Sequence, residues 1–258
     1  MRPPIAFAAD PSSPRLRRRS RGDRVELWTE TAGTLPPVYG ERWANAGGRT
    51  LRAFEPSRSK LAAALARGWD GPVPRRGERW LYLGAASGTT ASHVADLLGP
   101  EGRLYAVERS VRPFARLLGV AERWPNLLPV LADVREPERY AGPVPIVDGI
   151  YVDVAQPDQV ALALANTAIF LDERHGALLL ALKTSSMGRE VGAPGHLRAA
   201  EGALGQALEL GPSLRLDPFY RSHYLLGGRR GTPTSRRPLR ARRSAGRSVR
   251  PRSRRRPS

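Results

Sequence analysis

Cysteine is absent from the 258 residues. That excludes disulfides, thiolate nucleophiles and Cys-ligated zinc. Histidine is scarce: His93, His175, His196 and His223 show no paired metal-ligand spacing, so no metal site is expected. No apolar run reaches the ~18 residues of a membrane span, and no membrane partner is expected. The opening Met1-Arg2-Pro3-Pro4 has no signal-like apolar stretch behind it, which points to a cytoplasmic protein rather than a secreted one. Lysine is nearly missing. Of 42 basic residues only Lys60 and Lys183 are lysine.

The net charge of +18 is unevenly placed. Residues 1–22 hold six arginines and one aspartate; residues 229–258 hold thirteen arginines and no acid. The segment between them carries 23 basic and 23 acidic residues and is neutral by count. Tails rich in Arg, Pro and Ser bury too little apolar surface to offset ordering entropy, so 1–22 and 229–258 are expected to be disordered. A polycationic tail favours a nucleic acid through counterion release, without saying which one.

Residues 23–56 read as a small β-rich domain. Arg24–Leu27 alternates, and Val38–Trp43 and Thr50–Phe54 flank a hairpin turn at Asn45-Ala46-Gly47-Gly48. Ser57 is the expected N-cap of a helix over Arg58–Arg67. Residues 57–228 then alternate strands and helices. Strands are expected at Trp80–Leu83, Leu104–Val107, Leu127–Leu131, Val147–Val152 and Ala177–Leu182, with a last one near His223–Leu226. Helices are expected at Thr90–Leu98, Val111–Glu122, Gln156–Phe170 and about Pro194–Leu210. This is an α/β, doubly wound domain.

The run from Leu81 to His93 (LYLGAASGTTASH) carries the first functional signal. An apolar strand meets a small-residue turn and then a helix, which is how such sheets deliver a nucleotide-like ligand to a helix N-terminus. Gly84 and Gly88 suit the turn. Their spacing is not that of the dinucleotide fingerprint, so the turn alone leaves the ligand open. Ligands of these sheets bind at the carboxyl ends of the strands. There stand Glu108, Asp133, Asp153 and Lys183. Glu108, 20 residues past Gly88, is placed to accept from both hydroxyls of a ribose. Asp133 is placed to accept from an adenine amino group. The two lysines sharpen the picture. Arginine stays protonated, whereas lysine is a compact donor that can lose its proton when buried. A composition so biased to arginine suggests that these two positions reject it. Lys183 ends an apolar strand at the expected cleft; pattern alone does not place Lys60.

Four blocks carry a family resemblance: Val38–Glu41 (VYGE), Pro56–Ala64 (PSRSKLAAA), Leu81–His93, and Asp153–Pro157 (DVAQP). Across about residues 24–227 the chain resembles fibrillarin, the RNA 2′-O-methyltransferase, in its shorter archaeal form. The resemblance implies a Rossmann-like class I S-adenosylmethionine-dependent methyltransferase sheet with a small N-terminal β domain. It implies S-adenosylmethionine at Gly84, Gly88, Thr89, Thr90, Glu108, Arg109, Asp133, Val134, Asp153, Val154, Ala155 and Gln156. It also implies a catalytic cluster of Lys60, Asp153, Lys183 and His223, which takes in both lysines. As partners it implies a box C/D guide RNA, target ribosomal or transfer RNA, a Nop-family scaffold protein and a kink-turn-binding ribosomal-type protein. The chain departs from the family pattern at Arg109, where a Phe is common, and at Val134, where an Ala is common. After Lys183, Thr184-Ser185-Ser186 stands where an Arg is usual, leaving Arg58 or Arg189 to meet an RNA phosphate.

Methyl transfer to a ribose hydroxyl asks for alignment and for help with one proton. Lys183, oriented by Asp153, can act as base or as cationic orienter. An unperturbed lysine titrates near ~10.4. Desolvation and Lys60 would lower that value and Asp153 would raise it, so the residues leave both roles open. Three competing readings stand beside this one: a protein glutamine methyltransferase, a non-catalytic ribonucleoprotein assembly subunit, and a nicotinamide oxidoreductase. The last is disfavoured by the glycine spacing.

Overall fold

The second strand of the fold is rich in arginine. The computed structural model describes residues 7–21, 24–188 and 190–231. Strands β1 (Ala8–Asp10) and β2 (Ser13–Arg21) join β3 (Arg24–Glu30), β4 (Trp43–Ala46) and β5 (Arg49–Ala53) in an antiparallel sheet of order β1-β2-β3-β5-β4. Residues 8–10 and 13–21 are therefore strand where 1–22 reads as a disordered tail; residues 1–6 and 22 lie outside the described residues. The reason is electrostatic. The β2 arginines meet acids on neighbouring strands: Arg17 to Glu30 at 3.2 Å, Arg15 to Glu30 at 3.5 Å, Arg19 to Glu26 at 3.8 Å, and Arg18 to the buried Asp10. Between them Leu16 is fully buried. Counting charge by segment separated Arg15, Arg17 and Arg19 from Glu26 and Glu30, which strand pairing brings to them.

Local geometry moves other boundaries. Residues 38–42 form no strand: the Glu41 carboxylate accepts from the Val38 and Tyr39 amides at 3.1 and 2.9 Å, folding the segment into a turn. The hairpin turn narrows to Gly47-Gly48, both with left-handed φ. Helix α1 (Lys60–Ala66) starts later than expected because Ser59, not Ser57, is the N-cap, its hydroxyl accepting from the Ala62 amide.

The second sheet follows: β6 (Arg79–Leu83), α2 (Thr89–Leu98), β7 (Arg103–Glu108), α3 (Val111–Ala121), β8 (Leu127–Leu131), β9 (Gly149–Val152), α4 (Gln159–Phe170), β10 (Ala177–Lys183), α5 (Gly192–Leu204), β11 (Glu209–Leu210), β12 (Leu214–Arg215) and β13 (His223–Arg229). Helix α4 begins at Gln159, past Pro157, rather than at Gln156, and α5 ends at Leu204, leaving Glu209–Leu210 as β11. Strand β9 begins at Gly149; Val147 makes only an isolated bridge to Leu171. The order is β11-β13-β10-β9-β6-β7-β8, with β12 also on β13. Strands β6 to β10 run parallel and β13 antiparallel. Strand β13 reaches Arg229, inside the segment read as a second tail; residues 232–258 of that segment lie outside the described residues.

Successive strand residues feed opposite layers. Trp80, Tyr82, Leu104, Tyr151 and Leu179 face α1, α2 and the N-terminal sheet, sharing one core with Leu16, Leu27 and Phe54. Leu81, Leu83, Ile150, Val152 and Leu180 face α4 and α5. The chain order reverses between β6 and β9, so a crevice opens at their carboxyl ends. No helix among the described residues is long and apolar enough to cross a membrane.

The two sheets are also tied by a buried polar cluster. Arg52 gives Nε and Nη2 to Glu41 Oε1 at 2.9 and 2.7 Å, and Nη1 to Asp96 Oδ2 at 2.9 Å. Thr29 and Trp124 also donate to Asp96, at 2.8 and 2.7 Å. His93 stacks on Phe54 and meets Thr29 and Tyr39. Burial holds the His93 imidazole well below its ordinary pKa, and the Arg52 charge adds to that. These contacts hang α2 on the N-terminal sheet.

Candidate active site

The β6–α2 turn and the loops after β7, β8 and β9 enclose a cleft of about 300 Å³. Gly84 sits in its floor with φ +83°; a Cβ there would come within 2.7 Å of the Asp153 carbonyl oxygen. Only glycine lets these two loops approach so closely. Glu108 ends β7 inside the cleft. Its Oε2 accepts from the Ala86 amide at 3.0 Å and its Oε1 from the Ser110 amide at 2.7 Å. Each carboxylate oxygen keeps a second lone pair, which is what two neighbouring hydroxyls of a sugar require. Val134, Val154 and Ala155 supply apolar wall, and Gln156 completes the rim.

Arg109 lines the same cleft and reaches Asp133 at 3.2 Å. Asp133 accepts from the Arg135 amide at 3.0 Å; that bond first, then the Arg109 and Arg135 guanidiniums, hold its carboxyl below the usual range. Arg135 continues to Gln156 at 2.8 Å and to Asp158 at 3.5 Å. Asp133 is therefore an anchor for a strap of charges across three loops. The cleft wall at this point is its neighbour Val134.

Not every expected ligand-binding residue opens onto this cleft. Gly88, with φ +90°, caps α2 and packs on Leu117 and Val120. Thr89 faces an adjoining groove. Thr90 is buried, with its side chain near the Tyr82 hydroxyl.

Beside the cleft, Lys60 Nζ donates to Asp153 Oδ1 at 2.7 Å, and the Tyr82 hydroxyl lies 3.5 Å from Oδ2. The pair joins the first residue of α1 to the end of β9, 93 positions apart. Lys183 ends β10 and pairs in register with His223, the first residue of β13. Among the described residues the Lys183 amine has no carboxylate partner. The His223 Nδ1 donates to the Arg221 carbonyl at 2.8 Å, so in the neutral ring Nε2 is the acceptor. Burial lowers the His223 pKa, helped by the charges of Lys60 and Lys183 and opposed by the Arg221 carbonyl and Asp153. All four expected catalytic residues thus stand at one edge of the sheet.

Two neighbours escaped the sequence reading. Gln159 is fully buried. Its Nε2 donates to the carbonyls of Gln156 and Lys183 at 3.0 and 3.1 Å, and its Oε1 accepts from the Lys183 amide at 2.9 Å. The only available signal was a polar residue opening an otherwise apolar helix directly after Gln156-Pro157. Tyr220 lies under Lys60, whose Nζ is 5.3 Å from the ring centre. Its hydroxyl is pushed up to about 12, first by burial and then by the charge of Asp153.

The fibrillarin family model matches residues 18–231. The chain belongs to the fibrillarin family. It is 42% identical over 194 residues to the fibrillarin-like rRNA/tRNA 2′-O-methyltransferase of Aeropyrum pernix, covering 73% of this chain and 81% of that one. It is also similar to the solved structure of Aeropyrum pernix fibrillarin with natively bound S-adenosyl-L-methionine, with a TM-score of 0.78 and 35% identity over 87% of this chain and 98% of that one. Fibrillarin in a fibrillarin/Nop5p complex aligns with a TM-score of 0.71 and 35% identity, over 79% and 93% of the two chains. Within this fibrillarin-family chain the cleft occupies the crevice between β6 and β9, where its fold places a ligand.

Proposed function

We propose that this chain transfers a methyl group from S-adenosylmethionine to ribose 2′-hydroxyls of ribosomal RNA, with transfer RNA as a second target. It does so as the catalytic subunit of a box C/D guide ribonucleoprotein. The observation that carries the reading is the Lys60–Asp153 pair, standing at the rim of a nucleoside-sized cleft. The cleft fits the cofactor: Glu108 has two lone pairs for its ribose hydroxyls, and Val134, Val154 and Ala155 suit a flat purine.

S-adenosylmethionine, when bound, supplies a methyl group already activated on a sulfonium. The chain has to align a ribose oxygen and relieve it of a proton. Alignment contributes up to ~7–11 kcal/mol in favourable reactions, and general base help another ~10²–10⁴-fold. Asp153 holds Lys60 as its ion-pair partner. Lys183, without such a partner among the described residues, is left to face the hydroxyl, and His223 Nε2 offers an acceptor at the same edge. Gln159 fixes the backbone on both sides of Lys183's Cα.

A Nop-family protein is the scaffold partner in this reading. A guide RNA selects the target nucleotide by pairing, and a kink-turn-binding protein holds the guide. Reconstitution tests this. Wild-type chain mixed with those components methylates a guided ribose, read as a site resistant to alkaline cleavage; the chain alone does so poorly. Robust site-specific transfer without a guide, or none with one, contradicts the assignment. Glu108→Ala weakens S-adenosylmethionine binding by roughly 10–100-fold, as loss of charged hydrogen bonds of ~1.5–3 kcal/mol requires. Calorimetry with the isolated chain checks this, and unchanged affinity would remove Glu108 from the cofactor site.

A further inference from the structure

A groove of about 570 Å³ runs beside the cleft, between residues 36–39, the approach to α1, the first turn of α2 and the outer face of α3. Arg58, Arg116 and Arg123 line it against one acid, Glu122. Arg58 and Arg116 are exposed and, among the described residues, make no ion pair. This contrasts with Arg15, Arg17, Arg18, Arg19 and Arg52, each of which meets a carboxylate. Arg58 instead lies 5.6 Å over the ring of Tyr39, whose hydroxyl is held by the Ala53 carbonyl and His93. Arg123 is fixed by the carbonyls of Gly119 and Pro36.

The groove is tied to the catalytic edge through the approach to α1. Arg58 stands two residues before Lys60, and its charge acts on the Tyr220 hydroxyl beside Asp153. One side chain therefore belongs to both features. Ser87 and Thr89 add hydroxyls, and the ten-residue helix α2 begins there without a side-chain cap, so its first amides carry partial positive charge into the groove.

We propose that this groove, through Arg58 and Arg116, carries the phosphodiester backbone of the RNA strand flanking the methylated ribose. The proposal rests on the reading of the chain as an RNA methyltransferase and names where the substrate strand lies. Unpaired guanidiniums in a polar, open trough match a run of phosphates. The Tyr39 ring seats the Arg58 fork beside the groove.

The test is binding of a fluorescently labelled target strand to the assembled guide complex, made with wild type, Arg58→Gln/Arg116→Gln, or Arg58→Lys/Arg116→Lys. The glutamine variant is expected to bind target at least tenfold more weakly at low salt. The slope of log K against log salt should flatten by about 1.4–1.8, two phosphate contacts' worth. The lysine variant should keep the slope. Cofactor affinity of the isolated chain and assembly with the protein partners should be unchanged. An unaltered slope overturns the proposal. So does loss of assembly at unchanged slope, which would make the groove a protein contact. Loss of cofactor affinity assigns the groove to the cofactor instead. Because binding is read without turnover, a wild-type complex that binds target with the expected slope yet transfers no methyl group sinks the assigned activity and leaves the groove standing.

Discussion

Asp153→Asn lowers guided methyl transfer by roughly 10²–10⁴-fold, the range of a lost acid–base arrangement, and the chain stays folded. The substitution preserves shape. It keeps an oxygen or nitrogen opposite the Tyr82 hydroxyl and removes the charge that holds Lys60 at 2.7 Å. An unpaired ammonium then competes with Lys183 for the same edge. Asp153 also lines the cofactor cleft, so the effect must be separated from binding. S-adenosylmethionine affinity is expected to fall less than tenfold, and kcat to carry the loss. Lys183→Ala produces a comparable fall in kcat with cofactor affinity unchanged, since its side chain lines no part of that cleft. Lys183→Arg restores little, because a guanidinium neither releases a proton nor fits a point contact. Wild-type turnover in Lys183→Arg would reject both specialised roles for this amine, and wild-type turnover in Asp153→Asn would place the chemistry elsewhere.

Arg52→Met destabilises the fold by about 3–5 kcal/mol, the cost of stripping one partner from a buried charge cluster. Arg52, Glu41 and Asp96 have fully buried side chains. Without the guanidinium, two carboxylates and Ser92 lose their shared donor, and the Arg52 stack on Trp124 at 4.5 Å goes with it. The melting midpoint should fall by roughly 10 °C. Pairing the change with Asp96→Asn should recover part of the loss, since one of the orphaned charges then disappears. A stability within ~1 kcal/mol of wild type, from urea unfolding, would show that water reaches the cluster. The variant that survives should also bind S-adenosylmethionine less well, because α2 is hung from this cluster.

The parallel strands were legible because apolar runs of four to seven residues end in a turn or a charge. Leu127–Leu131 is recovered to the residue, and Glu108, Asp153 and Lys183 stand at strand ends where the pattern placed them. The scarcity of lysine singles out Lys60 and Lys183 by composition alone, and the structure brings Lys60 to Asp153 and Lys183 to His223. What escaped was long-range. Strand β2 looked like a tail because its stabilising acids, Asp10, Glu26 and Glu30, sit on β1 and β3. The Glu41–Arg52–Asp96 cluster joins residues up to 55 positions apart that carry no common periodicity. Ser57 and Ser59 are equally good N-caps by composition; the Ala62 amide chose the second. Asp133 stands at a strand end as expected, and what the pattern did not show is its pairing with Arg109 from the loop after β7 and with Arg135 from its own loop.

Gln159 gives the reaction centre a common suspension. The segment around Gln156 that borders the cleft and the backbone of Lys183 hang from one carboxamide, its two arms a few bond lengths apart. Jostling of either loop is transmitted to the other, so relative drift is damped even as the pair wanders together. Precision at the point of transfer then depends on a single rigid fork at the head of α4, and far less on the stillness of the surface around it.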